Sequence, residues 1–171
     1  MTGAPALDFA SIYRAHLEYV WASLRRLGVP AADLEDVAHE VFLVVHRKLG
    51  DYDRARPLKP WLFGIAYRVA SEHRRKNARR AAQELEDELA ASESSSPERQ
   101  TVKRQAIALA QRALDGLDEE ARAVFVLAEL DDVAVTDVAE ALSIPVNTAY
   151  TRLRRARQAI KNAITQTPGA A

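Results

Sequence analysis

The chain of 171 residues contains no cysteine. That absence excludes disulfide scaffolds, Cys-ligated zinc, iron–sulfur clusters and thiol catalysis, and it fits a reducing cytoplasm, which is the expected location. Aromatic residues are scarce at 6% while alanine is abundant, which points to packed helices rather than a β-sandwich. No apolar run approaches the ~20 residues that span a bilayer. The opening MTGAPALDF has no basic stretch followed by an apolar one, so it does not read as a secretory signal. Membrane insertion is not expected. The chain also has no net charge, with 24 Lys and Arg against 24 Asp and Glu, which excludes a uniform polycation that coats nucleic acid. The four histidines carry no site signature. His39 and His46 lie seven apart on one helix, and His16 and His73 stand on separate helices. No catalytic residue, metal site or cofactor is expected.

What is present is helical periodicity. Phe9, Ile12, Tyr13, Leu17, Val20, Trp21 and Leu24 recur in steps that mark one helix face, with Asp8 as N-cap and Gly28-Val29-Pro30 as the stop. A second helix runs from about Asp33 to Leu49 through Leu34, Val37, Ala38, Val41, Val44 and Val45. After a polar loop, a third begins near Pro60, whose missing N–H suits a first turn, and continues toward Arg80. Residues 82–98 then hold six acids and no base, with a Ser-Ser-Ser-Pro end, and read as a linker. Periodicity resumes from Glu98 to Leu117, Asp118 caps the next helix, and helices near 135–142 and 148–164 close the chain. The expected fold is all-α. Two small helical domains, about 5–80 and 99–165, are joined by a flexible acidic linker.

The segment VTDVAEALSIPVNTAYTRLRRARQAIK is the most specific feature. Val138, Ala139 and Leu142 face inward on a short helix, and small Ala139 lets a second helix cross closely. Pro145 breaks the helix, Asn147 takes an N-cap position, and Ala149, Leu153, Ala156, Ile160 and Ile164 line the buried face of the next helix. Arg152, Arg154, Arg155, Arg157 and Lys161 cover the remainder without an intervening acid. This is a helix-turn-helix pattern whose second helix would enter the major groove. Thr148, Tyr150, Thr151 and Arg152 then point toward bases and phosphates, and arginine can bond bidentately to guanine. The alternative is an ordinary helical hairpin with a solvated basic face.

Two N-terminal features allow two readings each. The second helix opens on Asp33, Glu35, Asp36 and Glu40, which either complement the helix dipole or form a partner-binding face. On the third, Trp61, Phe63 and Tyr67 precede Arg68, Arg74, Arg75, Lys76, Arg79 and Arg80. Aromatics beside a basic strip suit single-stranded DNA, where bases stack on rings and cations hold phosphates. Trp61 as a core residue is the simpler reading of that side chain alone.

The stretches DLEDVAHEVFLVVHRKL, PWLFGIAYRVASEHRRK, LDEEARAVFVL and VTDVAEALSIPVNTAYTRLRRAR together resemble the bacterial RNA polymerase sigma factors of the sigma-70 family, in its extracytoplasmic-function (ECF) group. The match runs in order over about residues 8–165. The resemblance implies a factor that binds core polymerase, recognises the −35 and −10 promoter elements and helps to melt DNA. Residues 5–80 would be region 2 and 105–165 region 4. Asp36, His39, Glu40 and Phe42 fall where the family docks on the clamp of the polymerase's largest subunit, with His39 where Gln is frequent. The flap of the second subunit is the other implied contact, and an anti-sigma partner is common in the family. The loop Gly50–Leu58 falls where an extruded −10 base is captured. Tyr52, Arg54, Arg56, Lys59, Trp61, Phe63, Arg68, Arg74 and Arg75 would hold the melted strand, with Arg68 where Asn is common. Base capture repays the unstacking of a few kcal/mol and gives selectivity without cutting a bond.

In region 4, Thr151, Arg154 and Arg155 match positions that face bases and phosphates of the −35 element, and Tyr150 stands where Lys or Arg is usual. Ala134 replaces a capping Ser and Ser143 a turn Gly, each with an expected loss of about 1 kcal/mol. By the same resemblance the acidic linker would thread the positively charged RNA-exit path. The alternative function is a stand-alone helix-turn-helix regulator that binds duplex operators without polymerase.

The zero net charge is a sum of segregated blocks. Residues 68–80 carry +5 and 147–164 carry +5, while 31–42 carry −4, 82–98 carry −6 and 115–140 carry −8. The expectation is that acidic segments cover basic faces in the free protein.

Overall fold

The structure, a computed structural model, describes residues 8–84 and 102–165. Among these it contains helices and turns and no strand. Helix α1, Phe9–Arg26, starts where Asp8 accepts the Ser11 N–H at 2.9 Å. It stops where Gly28 takes φ 87°, the left-handed region that glycine enters without a Cβ penalty. Helix α2 is Leu34–Lys48. Helix α3, Leu58–Glu84, begins two residues before Pro60, which still falls in the first turn, where a helix has no use for its N–H.

Helix α4 is Val102–Asp115, and α5, Glu119–Phe125, is capped by Asp118, which accepts the Ala121 N–H at 2.8 Å. One wide π-helical turn, Val126–Leu130, follows. Helices α6, Val135–Ala141, and α7, Val146–Thr165, complete the described chain. The acidic stretch from 85 to 98, its proposed helicity and its implied path lie outside the described residues.

The apolar spacings become the core. Val20, Leu24, Val37, Val41, Val45, Leu62, Phe63 and Ile65 are buried between α1, α2 and α3. Leu117, Val124, Leu127, Val138, Leu153 and Ala156 are buried between the later helices. These side chains form one connected apolar cluster through both groups of helices. Deleting a large buried side chain from such a cluster costs several kcal/mol, because the cavity only partly collapses.

The two groups meet where α3 packs on α6. At Gly64 the α3 backbone lies against the end of α6. A Cβ there would meet the Ala141 carbonyl, with the Ala141 carbonyl carbon 3.2 Å away.

Candidate nucleic-acid interface

The helix-turn-helix is built by α6, a tight turn and α7. Val138, Ala139 and Leu142 are buried on the inner side of α6, and Ala149, Leu153 and Ala156 on the inner side of α7. Ala134 sits at the N-cap of α6 with no side-chain hydrogen bond, so the cap that a Ser would supply is missing. In the turn Ser143 takes φ 57°, a left-handed conformation that a glycine would adopt with less strain. Its N–H bonds to the Glu140 carbonyl at 3.0 Å, and the Ile144 N–H bonds to Ala139 at 2.9 Å. The expected N-cap at Asn147 is corrected. Helix α7 already begins at Val146, and the Pro145 carbonyl accepts the Ala149 N–H at 3.1 Å, so Asn147 lies inside the first turn.

The outer face of α7 divides in two. Tyr150 is 55% exposed, and Thr151, Arg154 and Arg155 are also exposed. Arg154 and Arg155 make no ion pair among the described residues, while Thr151 Oγ1 donates to the Asn147 carbonyl at 3.0 Å. Thr148 is half-buried. Arg152 instead pairs with Glu120, and Arg157 pairs with Glu129 at 2.6 Å. The free arginines and the exposed tyrosine therefore form the part of α7 that is open to a nucleic acid.

The second basic surface lies on α3 and the loop before it. The Tyr52 and Trp61 rings meet at a tilt of 46° with centroids 4.7 Å apart, and Tyr52 Oη donates to the Arg56 carbonyl. Asp53 folds the loop by accepting the Ala55 N–H at 3.0 Å and the Arg56 Nε at 3.2 Å. A cavity of about 430 Å3 opens here, lined by Lys48, Tyr52, Arg56, Trp61 and Arg68. Its other wall comes from Asp137, Glu140 and Ala141 of α6. Arg68 donates to the Ala141 carbonyl at 3.2 Å and to Ser143 Oγ at 3.3 Å, and Arg56 pairs with Glu140. Arg74 reaches Glu119 at 3.5 Å, and Arg75 pairs with Glu72 at 2.6 Å. Arg54 is exposed, and the Lys59 ammonium lies 5.5 Å from the Tyr19 ring centroid.

Phe63 is corrected. It is fully buried in the core, so it has no face to offer a base. Trp61 is half-buried and faces the cavity. The two lie two positions apart on one helix, and such residues point to different sides.

A third feature is a cleft of about 720 Å3 between α1 and α2. Asp36, His39 and Phe42 line it, whereas Glu40 is exposed outside it. Phe42 is 3% exposed and forms the floor, with the Tyr13 ring edge-on to it at 4.7 Å. The sequence reading missed the α1 side of this cleft: Tyr13, Leu17, Glu18, Trp21 and Arg25. The spacing of the apolar members marks one helix face, and Tyr13 on that face is 40% exposed. Among the described residues, no three His, Asp or Glu side chains gather as a metal site. No helix among them is long and apolar enough to cross a membrane.

The model of Sigma-70 region 2 matches residues 12–80, and that of Sigma-70 region 4 matches residues 107–160. The ECF RNA polymerase sigma-E factor of Escherichia coli (strain K12) is 30% identical over 152 residues, covering 84% of this chain and 80% of that protein. RNA polymerase sigma factor NccH of Alcaligenes xylosoxydans xylosoxydans is 27% identical over 153 residues, covering 87% and 82%. Among solved structures, the sigma factor RpoE from Bartonella quintana, in complex with the anti-sigma factor NepR, aligns with TM-score 0.74 at 19% identity, over 93% of this chain and 98% of that one. CnrH in complex with the cytosolic domain of CnrY aligns with TM-score 0.66 at 22% identity, over 92% and 87%. These two structures share the fold.

Proposed function

We infer the function from one premise: this chain belongs to the sigma-70 family of RNA polymerase sigma factors, in its extracytoplasmic-function group. It is a sigma factor and directs transcription initiation. The observation that carries this is the pairing of a region 2 match and a region 4 match, in order, on one chain. The partners are core RNA polymerase, promoter DNA and an anti-sigma factor, and the place of action is the cytoplasm. A stand-alone operator-binding regulator would account for α7 but leave the region 2 match without a role.

The residue assignments rest on the family resemblance, with exposure and cavities as support. Residues 5–80 are the −10 and polymerase-binding unit and 105–165 the −35 unit, and the linker expected over 81–104 is narrower, because α3 runs to Glu84 and α4 begins at Val102. Arg154, Arg155, Tyr150 and Thr151 read the −35 duplex, supported by their exposure on α7. Arg152 and Arg157 are held back by Glu120 and Glu129 and reach phosphates by exchanging those partners. Trp61, Tyr52, Arg56 and Arg68 form the pocket for a −10 base, supported by the cavity they line. The α1–α2 cleft takes an element of the polymerase clamp against Asp36, His39 and Phe42. The chain itself breaks no covalent bond in this role. Its work is binding energy spent on a melted strand.

Comigration with purified core polymerase on size exclusion tests the reading. A stable complex is expected. A chain that elutes alone at micromolar concentrations contradicts it.

A further inference from the structure

The exposed face of α7 carries a polar side chain that the −35 assignment leaves without a role. Asn147 lies in the first turn of the helix and is exposed. It does not cap α7, which starts at Val146 with the Pro145 carbonyl accepting the Ala149 N–H at 3.1 Å. Its carbonyl accepts the Thr151 hydroxyl at 3.0 Å, but its side-chain amide makes no hydrogen bond among the described residues.

Stability gives no reason for an asparagine at this place. Inside a helix asparagine is a weaker former than alanine, because its side chain competes for backbone groups in non-helical conformations. Here the amide is turned to solvent and unbonded, so no contact within the fold offsets that loss.

The neighbours on the helix surface point to a ligand. Tyr150, Thr151 and Arg154 stand three, four and seven positions further on and are all exposed, so with Asn147 they form one stripe. Asn147 and Arg154 are one heptad apart and differ by only about 20° in direction. The stripe changes chemistry along its length. From Ser143 to Thr151 the chain has no charged residue, whereas four arginines fall between Arg152 and Arg157. The uncharged end also presents apolar surface, with Val146 40% and Tyr150 55% exposed.

An amide beside exposed apolar side chains matches the major-groove edge of an A·T pair. Adenine offers N7 as acceptor and its N6 amino group as donor, which an asparagine amide meets with its NH2 and its oxygen. Thymine adds a methyl group for apolar contact. Guanine presents acceptors at both N7 and O6 and would leave the Asn147 oxygen unpaired. The N-terminal residues of a recognition helix are the ones that reach base edges. We propose that Asn147 is a specificity-determining residue that reads an adenine of the −35 element, with the Tyr150 ring on a thymine methyl beside it and Arg154 on a guanine. Seven residues of helix rise about 10 Å. At 3.4 Å per base pair, the adenine and the guanine lie about three base pairs apart. This reading rests on the assignment of α7 to the −35 duplex.

The test is a selection of duplex DNA, randomised throughout the promoter region, by the complex of core polymerase with the full chain. The enriched fragments are sequenced, and the unchanged protein is compared with Asn147→Ala and Arg154→Ala. Alanine is the better helix former, so Asn147→Ala is expected to melt at an unchanged or higher temperature. A change in which base is selected is a readout that altered folding would not produce.

The unchanged complex is expected to select an adenine and a guanine about three positions apart. Asn147→Ala is expected to lose about tenfold in preference for that adenine while keeping the guanine, and Arg154→Ala to do the reverse. An adenine preference that survives Asn147→Ala, or a loss spread equally over every position, overturns the role of Asn147 and leaves the −35 assignment standing. Enrichment of no sequence by the unchanged complex overturns that assignment and the role of Asn147 with it.

Discussion

Helices α3 and α7 carry the same net charge over their basic stretches, +5 over residues 68–80 and +5 over 147–164, yet they meet the rest of the molecule in opposite ways. On α3, Arg68 and Arg74 reach across to α6 and α5. On α7, Arg154 and Arg155 are exposed and make no ion pair among the described residues. The difference lies in the neighbours. From the acidic block between the two stretches, Glu119 crosses to Arg74 of the other helix group, while Glu120 and Glu129 hold Arg152 and Arg157 within their own. A basic run in a sequence is therefore a supply of charge, and the acids that fold against it decide how much of it is available.

The largest expected effect separates core from interface on α3. Phe63→Ala removes a fully buried ring and should lower the unfolding free energy by about 3–5 kcal/mol in urea denaturation. Half-buried Trp61→Ala should lower it by clearly less while impairing promoter opening by the polymerase complex, read by permanganate reactivity of unpaired thymines. Equal destabilisation by the two would erase the distinction between them.

Next comes the open side of α7. Arg155→Ala should weaken promoter binding by about 1–3 kcal/mol with no change in melting temperature, measured by gel shift of the polymerase complex. Unchanged binding would remove Arg155 from the DNA surface. Arg152→Ala should be milder. Its pair with Glu120 is largely a surface ion pair, so the loss of stability should stay within about 1 kcal/mol. A larger DNA-binding defect than that of Arg155→Ala would reverse the division of α7 proposed above.

The smallest effect is a pH slope on the N-terminal side. Burial, then the nearby Lys59 charge, lower the His16 pKa from its ordinary 6.5. As pH falls below 6.5, the unfolded chain takes up a proton before the folded one does, so stability drops on acidification through that window. Thermal melts of His16→Gln should show a shallower loss over the same window. An identical slope in both proteins would assign it to other groups.

Much of this was legible in the chain. The apolar steps of α1, α2 and α7 became largely buried faces, with Tyr13 and Ile164 left exposed, and Asp8 and Asp118 cap helices as their position implies. The turn of the helix-turn-helix was legible, but Asn147 was misplaced because the left-handed Ser143 lets α7 begin one residue before it, at Val146. Phe63 was misassigned although the helix period already separates it from Trp61. The seat of α6 on Gly64 was not legible, because Gly64 and Ala141 are distant in sequence and their contact is tertiary. Its one local trace was a glycine in the middle of a strong helix, a position that costs stability unless something approaches closely.

Run-off transcription with purified core polymerase on genomic fragments tests the central claim most directly. The account predicts discrete, fragment-specific transcripts that require this chain and fade when Arg154 and Arg155 are both changed to alanine. Transcripts that are the same with and without the chain, or no transcript from any fragment despite stable binding to polymerase, would contradict it.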